Sequence, residues 1–334
     1  MAITRLQMPL PLFEFPSKIV LIDDNLDYIK ALQVLSSATG FELIPFNNPR
    51  KALDYLQKRS YCKFIKESLP TERGAEIFHS QIDVHLNNLH QEIYNPARFD
   101  EISLLVIDYA MPGMNGQEFC KQISNLPIKK LLLTGEASFE KAVEMFNAEI
   151  IDKFVKKDED FDAIFKLISD LQYRFFQKVS EPILTLLRNS KETGAFFDEK
   201  FIEFFQKIIE KNNIIEYYAA DNCGSYLLVD KSGSAKLLIV KPEEDMQVLY
   251  EIAEGDSDVT SEILEVLKKK EKIAFFQTEQ DMASPATLWY LHDAERINGS
   301  LQKYYYALIP IGNDFKLNQS KITSYQKYIN SEVG

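Results

Sequence analysis

Asp23 and Asp24 close the run KIVLIDD, Asp108 closes ISLLVID, Thr134 closes KKLLLT and Lys157 closes IIDKFVKK. Each run is rich in Leu, Ile and Val and stops abruptly at a polar residue, the pattern of a parallel strand buried on both faces. Ligands of parallel sheets bind beyond the carboxyl ends of the strands, so these residues form one constellation. Three carboxylates on one edge repel each other unless a divalent cation sits among them, and an all-oxygen open site suits Mg²⁺. A phosphoryl group arriving there needs its equatorial charge neutralised, which Mg²⁺, a hydroxyl or backbone donor and a lysine ammonium supply together. Asp108 is the expected nucleophile, because a carboxylate can form an aspartyl-phosphate. In the turn that follows, Tyr109 to Gly116, Pro112 and two glycines let the backbone approach the site, so the main-chain carbonyl of Ala110 is expected to complete the metal shell.

Taken one at a time, these residues have duller readings. Asp23 or Asp24 alone is a helix cap, Thr134 before Gly135 is turn chemistry, and Lys157 belongs to a solvated cluster with Lys153 and Lys156. Their joint position on one sheet edge is what favours the site.

The elements that must hold them follow a βα rhythm. After KIVLIDDN, the spacing of Tyr28, Ile29, Leu32 and Leu35 predicts a helix that Gly40 closes. FELIPF (41–46) is a second strand, and Asn47-Asn48-Pro49 opens a further helix. Strands at 102–109, 129–136 and 150–157 alternate with helices at 117–124, 138–148 and from Asp160 to about Val179. Such alternation implies a five-stranded parallel sheet covered on both faces. From about 59 to 101 the rhythm is interrupted by a polar stretch holding His79, His85 and His90. One or two extra helices are expected there, with Ile82, Leu86, Leu89 and Ile93 as their apolar stripe. The histidine spacing does not suit a shared metal.

Ser180-Glu181-Pro182 predicts a break or kink in the helical path, with helices at 183–189 and 198–211 acting as a connector (180–212). From Ile214 the pattern changes. IIEYYAAD, GSYLLVDKSG and SAKLLIVK read as an antiparallel meander, then helices at about 242–254 and 257–270, then strands at 273–277, 287–291 and 304–311. The expected division is an N-terminal extension (1–17), an α/β domain (18–179), the connector, and an α+β domain (213–334) with an antiparallel sheet.

At 334 residues two cores are the default, and 46% hydrophobic with 26% charged residues describes a globular protein. The net charge of −12 repels phosphate backbones and anionic membranes. Beyond Ser180 acids outnumber bases by about eight, and the one basic run, Lys268–Lys270 with Lys272, ends an acidic helix. Direct DNA binding is therefore not expected, nor is any helix-turn-helix evident. Cys62, Cys120 and Cys223 are odd in number and widely spaced, which points to free thiols. With a proline-broken, acid-containing N-terminus and no apolar run near 20 residues, a cytoplasmic protein without membrane contact is expected.

Residues 18 to about 178 resemble the receiver domain of response regulators, which carries IDDN, VIDYAMPGMNG, LLLTGE and DKFVKK in that order. The resemblance implies a flavodoxin-like fold, Mg²⁺ held by Asp23, Asp24 and Asp108, and phosphotransfer to Asp108 from a sensor histidine kinase or a phosphotransfer protein. The receiver's own activity would be limited to self-catalysed phosphoryl transfer and autodephosphorylation, with any activity of the output half left open. Thr134 and Phe154 would form the switch pair, and the face formed by 138–179 would carry a homodimer. The family has Pro after its lysine, whereas Asp158 follows Lys157, so Lys156 remains an alternative register. HQEIYNPARF and IEYYAADNCGSYLLVDKSG extend the resemblance to quorum-sensing response regulators with an undefined output domain.

No GGDEF-like loop or P-loop marks the second half as an enzyme. Three readings stay open for it: a phosphorylation-gated interaction module, a small-ligand or nucleotide sensor, and an enzyme with an unfamiliar site. Trp289 and Tyr304–Tyr306 could line a ligand pocket, although core strands explain such aromatics as well.

Overall fold

The computed structural model describes residues 8–59, 61, 86–135, 138–189, 194–277, 279–286, 289–311 and 315–332. The chain divides into two compact units: one is formed by Pro16–Lys66 and Ala97–Val179, the other by Met1–Phe15, Glu67–Pro96 and Ser180–Gly334. The opening strand β1 (Phe13–Glu14) belongs to the second unit.

In the first unit, β2 (Lys18–Ile22), α1 (Leu26–Thr39), β3 (Glu42–Phe46), α2 (Pro49–Gln57) and β4 (Ile102–Asp108) follow in order. They continue into α3 (Gly116–Gln122), β5 (Lys129–Thr134), α4 (Phe139–Asn147), β6 (Lys153–Lys156) and α5 (Phe161–Asn189). The five strands pair in parallel in the order β3-β2-β4-β5-β6. This is the expected flavodoxin-like arrangement, in which the chain reverses its direction of travel beside β2 and β4 and leaves a crevice at their carboxyl ends. Every residue of β2 and β4 is buried. Ile19, Leu21, Leu104, Val106, Leu131 and Leu133 pack with Ile164, Ile168 and Leu171 of α5 in one apolar cluster.

Local signals fix where the helices begin. The Asn25 side chain accepts from Asp27 N and Tyr28 N to cap α1, and Gly40 ends that helix at φ +79°. Asn48 caps α2 ahead of Pro49, and Asn115 forms a reciprocal capping box with Glu118 on α3.

Of the break or kink expected at Ser180–Pro182, the break does not occur: α5 runs on through Pro182 to Asn189. A proline inside a helix removes one hydrogen bond and crowds the preceding turn. Here Phe175, Phe176, Ile183, Leu184 and Leu187 are all buried along that stretch, and the Ser180 hydroxyl accepts from Leu12 N at 3.0 Å, so burial outweighs the lost bond.

The second unit holds a six-stranded antiparallel sheet in the order β1-β7-β8-β9-β13-β12, with β7 (Ile214–Ala219), β8 (Tyr226–Asp230), β9 (Ala235–Pro242), β12 (Glu295–Asn298) and β13 (Lys303–Pro310). Helices α6 (Glu199–Lys211), α7 (Glu243–Glu254), α8 (Ser261–Lys268), α9 (Glu279–Met282) and α10 (Tyr325–Glu332) accompany it. The pair β10 (Lys272–Ile273) and β11 (His292–Asp293) stands as a separate ribbon. The strand expected over 273–277 shrinks to the end of β10, and Trp289–Leu291 is not a strand. Instead Trp289 packs edge-on against Phe276 and donates from Nε1 to Ser284 O, while Tyr304 is fully buried in the core.

Of the stretch between α2 and β4, Leu86–Tyr94 and Pro96–Asp100 form 3₁₀ turns rather than α-helix. Leu86, Leu89 and Ile93 are buried as their spacing predicts. Asn318 N donates to the Tyr94 hydroxyl, Thr323 N donates to Ile93 O, and the His90 ring lies edge-on to Phe315. Ile82, His79, His85 and Cys62 lie outside the described residues. Among the described residues Cys120 and Cys223 are free thiols, and no helix is long and apolar enough to cross a membrane.

Candidate phosphoryl and metal site

The register of β2 beside β4 and of β4 beside β5 brings the three strand ends together. Asp23 N donates to Phe46 O, and Asn25 N donates to Asp23 Oδ1 at 2.9 Å, which aims the other carboxylate oxygen inward. Asp108 is the last residue of β4, and the next amide, Tyr109 N, is tied to Leu133 O. Lys157 N donates to Thr134 O, which joins the ends of β5 and β6. Oxygens of Asp23, Asp24 and Asp108 all lie within 4.8 Å of one another. Asp23 and Asp108 are buried, and Asp24 faces solvent.

Lys157 reaches into this cluster, with Nζ 2.7 Å from Asp23 Oδ2 and 3.0 Å from Asp108 Oδ2. Lys156 does not reach it: its Nζ sits 5.6 Å from the Phe139 ring centre. Lys156 is the last residue of β6 and Lys157 the first beyond it, and the two side chains go to different partners. Burial pushes the Asp23 carboxyl above its usual range, an effect the Lys157 and Asn25 hydrogen bonds only partly offset and the Asp108 charge reinforces. Burial by itself would lower the Lys157 ammonium, but its hydrogen bonds to Asp23 and Asp108 outweigh that and hold it above its ordinary value.

A divalent cation fits this donor set. Three carboxylates converge, two of them out of water, and an internal ammonium already lies between the buried pair to balance their charge. All-oxygen ligands with one open, solvated side suit Mg²⁺, which keeps part of its water shell. Asp23, Asp24 and Asp108 would hold it, with Ala110 in the exposed turn after β4 offering a carbonyl. Met111–Asn115 carries the turn, with Gly113 at φ +81°, a conformation that glycine adopts without strain. At Gly116 a Cβ would fall 2.7 Å from Asp108 O, so only glycine lets α3 start this close to the strand.

Thr134 is buried, and its hydroxyl donates to Gly135 O at 2.9 Å. Phe154 is half-buried and lies edge-on to two rings of α4, Phe139 at 5.4 Å and Phe146 at 6.0 Å. Phe139 and Phe146 are themselves about two-fifths exposed, so the 138–179 face carries an aromatic patch with Lys153 and Lys156 over its rings.

Sequence reasoning missed one wall of the site. The Tyr28 ring stands 5.2 Å from Lys157 Nζ, and burial, with the Asp23 and Asp108 charges adding to it, pushes its phenol up to about 12. In the sequence, Tyr28 read only as one of four apolar positions on α1, and nothing in its spacing pointed to Lys157, more than a hundred residues away.

The family model for the response regulator receiver domain matches residues 75–169, a span that includes Asp108, Thr134 and Lys157 but not Asp23 and Asp24. No curated protein matches the sequence. Among solved structures, the Legionella pneumophila response regulator LqsR is similar over almost the whole chain, at 34% identity and TM-score 0.79, covering 96% of this chain and 95% of that one. An adenylate cyclase from Rhodopirellula baltica (18% identity, TM-score 0.36, 51% of this chain and 97% of that one) is more distant. So is the signal receiver domain of an HD domain-containing protein from Pseudomonas fluorescens Pf-5 (16%, 0.34, 48% and 97%).

Proposed function

This chain belongs to the response-regulator family, and on that premise we propose that it is switched by phosphorylation of Asp108 with Mg²⁺ bound by Asp23, Asp24 and Asp108. The observation that carries this reading is the Lys157 ammonium held 2.7 and 3.0 Å from the two buried carboxylates, on the sheet edge where a phosphoryl group would arrive. A sensor histidine kinase or a phosphotransfer protein is the proposed donor. The bound cation would neutralise charge on the incoming phosphoryl oxygens.

The protein's own residues would do the rest. An Asp108 carboxylate oxygen attacks phosphorus as the bond from phosphorus to the donor's leaving atom breaks, and that atom keeps the electron pair. Lys157 turns from the carboxylates to a phosphoryl oxygen. The Thr134 hydroxyl gives up Gly135 O and donates to the phosphoryl group. Phe154 then leaves Phe139 and Phe146 and turns inward, which remodels the 138–179 face on which a homodimer is proposed.

The working division proposed is a receiver (18–179, with its insertion at about 59–101), a connector (180–212) and an output domain (213–334). Among the described residues, the output half groups with residues 8–15 and 86–96. It is proposed as a phosphorylation-gated interaction module, in keeping with its excess of acids, in a cytoplasmic pathway of the quorum-sensing kind. The test is intact-mass measurement of the full chain incubated with acetyl phosphate and Mg²⁺. One added phosphoryl group, lost when Mg²⁺ is chelated beforehand, supports the reading, and an unmodified mass under both conditions rejects it.

A further inference from the structure

Tyr28 sits in the first turn of α1, where Asn25 both caps the helix through Tyr28 N at 3.1 Å and donates its own N–H to Asp23. The ring is therefore indexed to the metal-binding strand end. On one side it packs against Phe161, the first residue of α5, with ring centres 6.2 Å apart. Lys157 Nζ approaches its ring at 5.2 Å from the centre. The Tyr28 hydroxyl is covered and makes no hydrogen bond among the described residues, so what Tyr28 presents to the lysine is its π-face and not its oxygen.

An ammonium held only by Asp23 and Asp108 would compete with any cation for the same oxygens. A π-face attracts the ammonium through the ring quadrupole without occupying a carboxylate oxygen. We propose that Tyr28 is a positioning residue for Lys157, its ring face holding the ammonium at the site when Asp23 and Asp108 turn their oxygens to another cation. This rests on the reading of Asp108 as phosphoacceptor, but it makes a separate claim about where Lys157 is held.

Two measurements on the full chain test it. In protein without added metal, the Cε protons of Lys157, assigned by their loss in Lys157→Arg, should show an upfield ring-current shift that Tyr28→Phe keeps and Tyr28→Leu abolishes. With acetyl phosphate and Mg²⁺, Tyr28→Phe should be labelled at the wild-type rate, and Tyr28→Leu about three- to tenfold more slowly, the range a partly desolvated cation–π contact supports. Because leucine could disturb packing, a trifluorinated phenylalanine placed at position 28 keeps the ring's shape while weakening its π-face, and it should slow labelling like leucine. Equal rates for tyrosine, phenylalanine and the fluorinated ring would overturn the proposal, as would a Tyr28→Phe as slow as Tyr28→Leu. If the wild type is not labelled, the reading of Asp108 fails first, and the ring-current shift alone decides for or against Tyr28.

Discussion

Replacing Lys157 by methionine separates two effects of its ammonium. The side chains it bridges are almost wholly buried, Asp23 at 0% and Asp108 at 5% exposure, whereas Lys157 itself is 25% exposed. Breaking a fully buried pair costs about 3–5 kcal/mol, because the remaining charge is left uncompensated. Partial solvation of the lysine reduces that to about 2–4 kcal/mol for the metal-free first unit. A divalent cation supplies the missing positive charge, so Mg²⁺ should restore most of the loss and should bind the variant more tightly than the wild type. Labelling should still suffer: a hydrogen bond to a charged group contributes about 1.5–3 kcal/mol, or roughly 10- to 150-fold in rate. With two units, one unfolding free energy is not well defined, so stability is best read from hydrogen exchange in β2 and β4, with and without Mg²⁺. Protection in metal-free Lys157→Met equal to wild type, or a loss that Mg²⁺ does not reverse, would refute the electrostatic reasoning.

Three further outcomes are expected. Gly116→Ala places a methyl 2.7 Å from Asp108 O and 3.0 Å from Leu132 Cδ1, so it should destabilise the first unit by about 1–3 kcal/mol and impair labelling, measured by hydrogen exchange and intact mass. Asp23 is raised above its ordinary 3.8 by burial, so the fold favours its neutral form: that stabilisation is present below the ordinary value and lost as pH rises through the raised one. Mg²⁺ requires the ionised form, so affinity measured by calorimetry should start to weaken on acidification at a pH higher than an ordinary aspartate would set, and a flat profile would contradict this. A fragment of residues 180–334 should not fold by itself, because it lacks the buried Leu10, Leu12, Phe13 and Phe15 and the buried Leu86, Leu89 and Ile93. Each such side chain contributes about 1.5–3 kcal/mol against a typical total of 5–15, so circular dichroism should show an unfolded fragment.

How much was legible in the sequence depended on how local the signal was. Strands β2 and β4 were readable because burial on both faces demands unbroken runs of Leu, Ile and Val, and the polar residue ending each run marked the edge where chemistry gathers. Lys157 could be located there but not separated from Lys156 by composition; at the end of β6 one side chain goes to Asp108 and the other to Phe139. The continuation of α5 through Pro182 was not readable, since the local cost of proline is outweighed by burial against residues far away in the chain. Likewise nothing local in Phe13–Glu14 announces a strand that pairs with Tyr217 and Tyr218, some two hundred residues on. The contact between Tyr28 and Lys157 is of the same kind, created by the sheet order rather than by either segment.

The central claim is that the phosphoryl group resides on Asp108. It is tested most directly by labelling the full chain with acetyl phosphate and Mg²⁺, reducing the acyl phosphate with borohydride, and locating the modified residue by peptide mass spectrometry. The expected result is a single modified position, Asp108, with no modification anywhere in Asp108→Asn. Modification at another residue, or labelling of Asp108→Asn at the wild-type level, would contradict it.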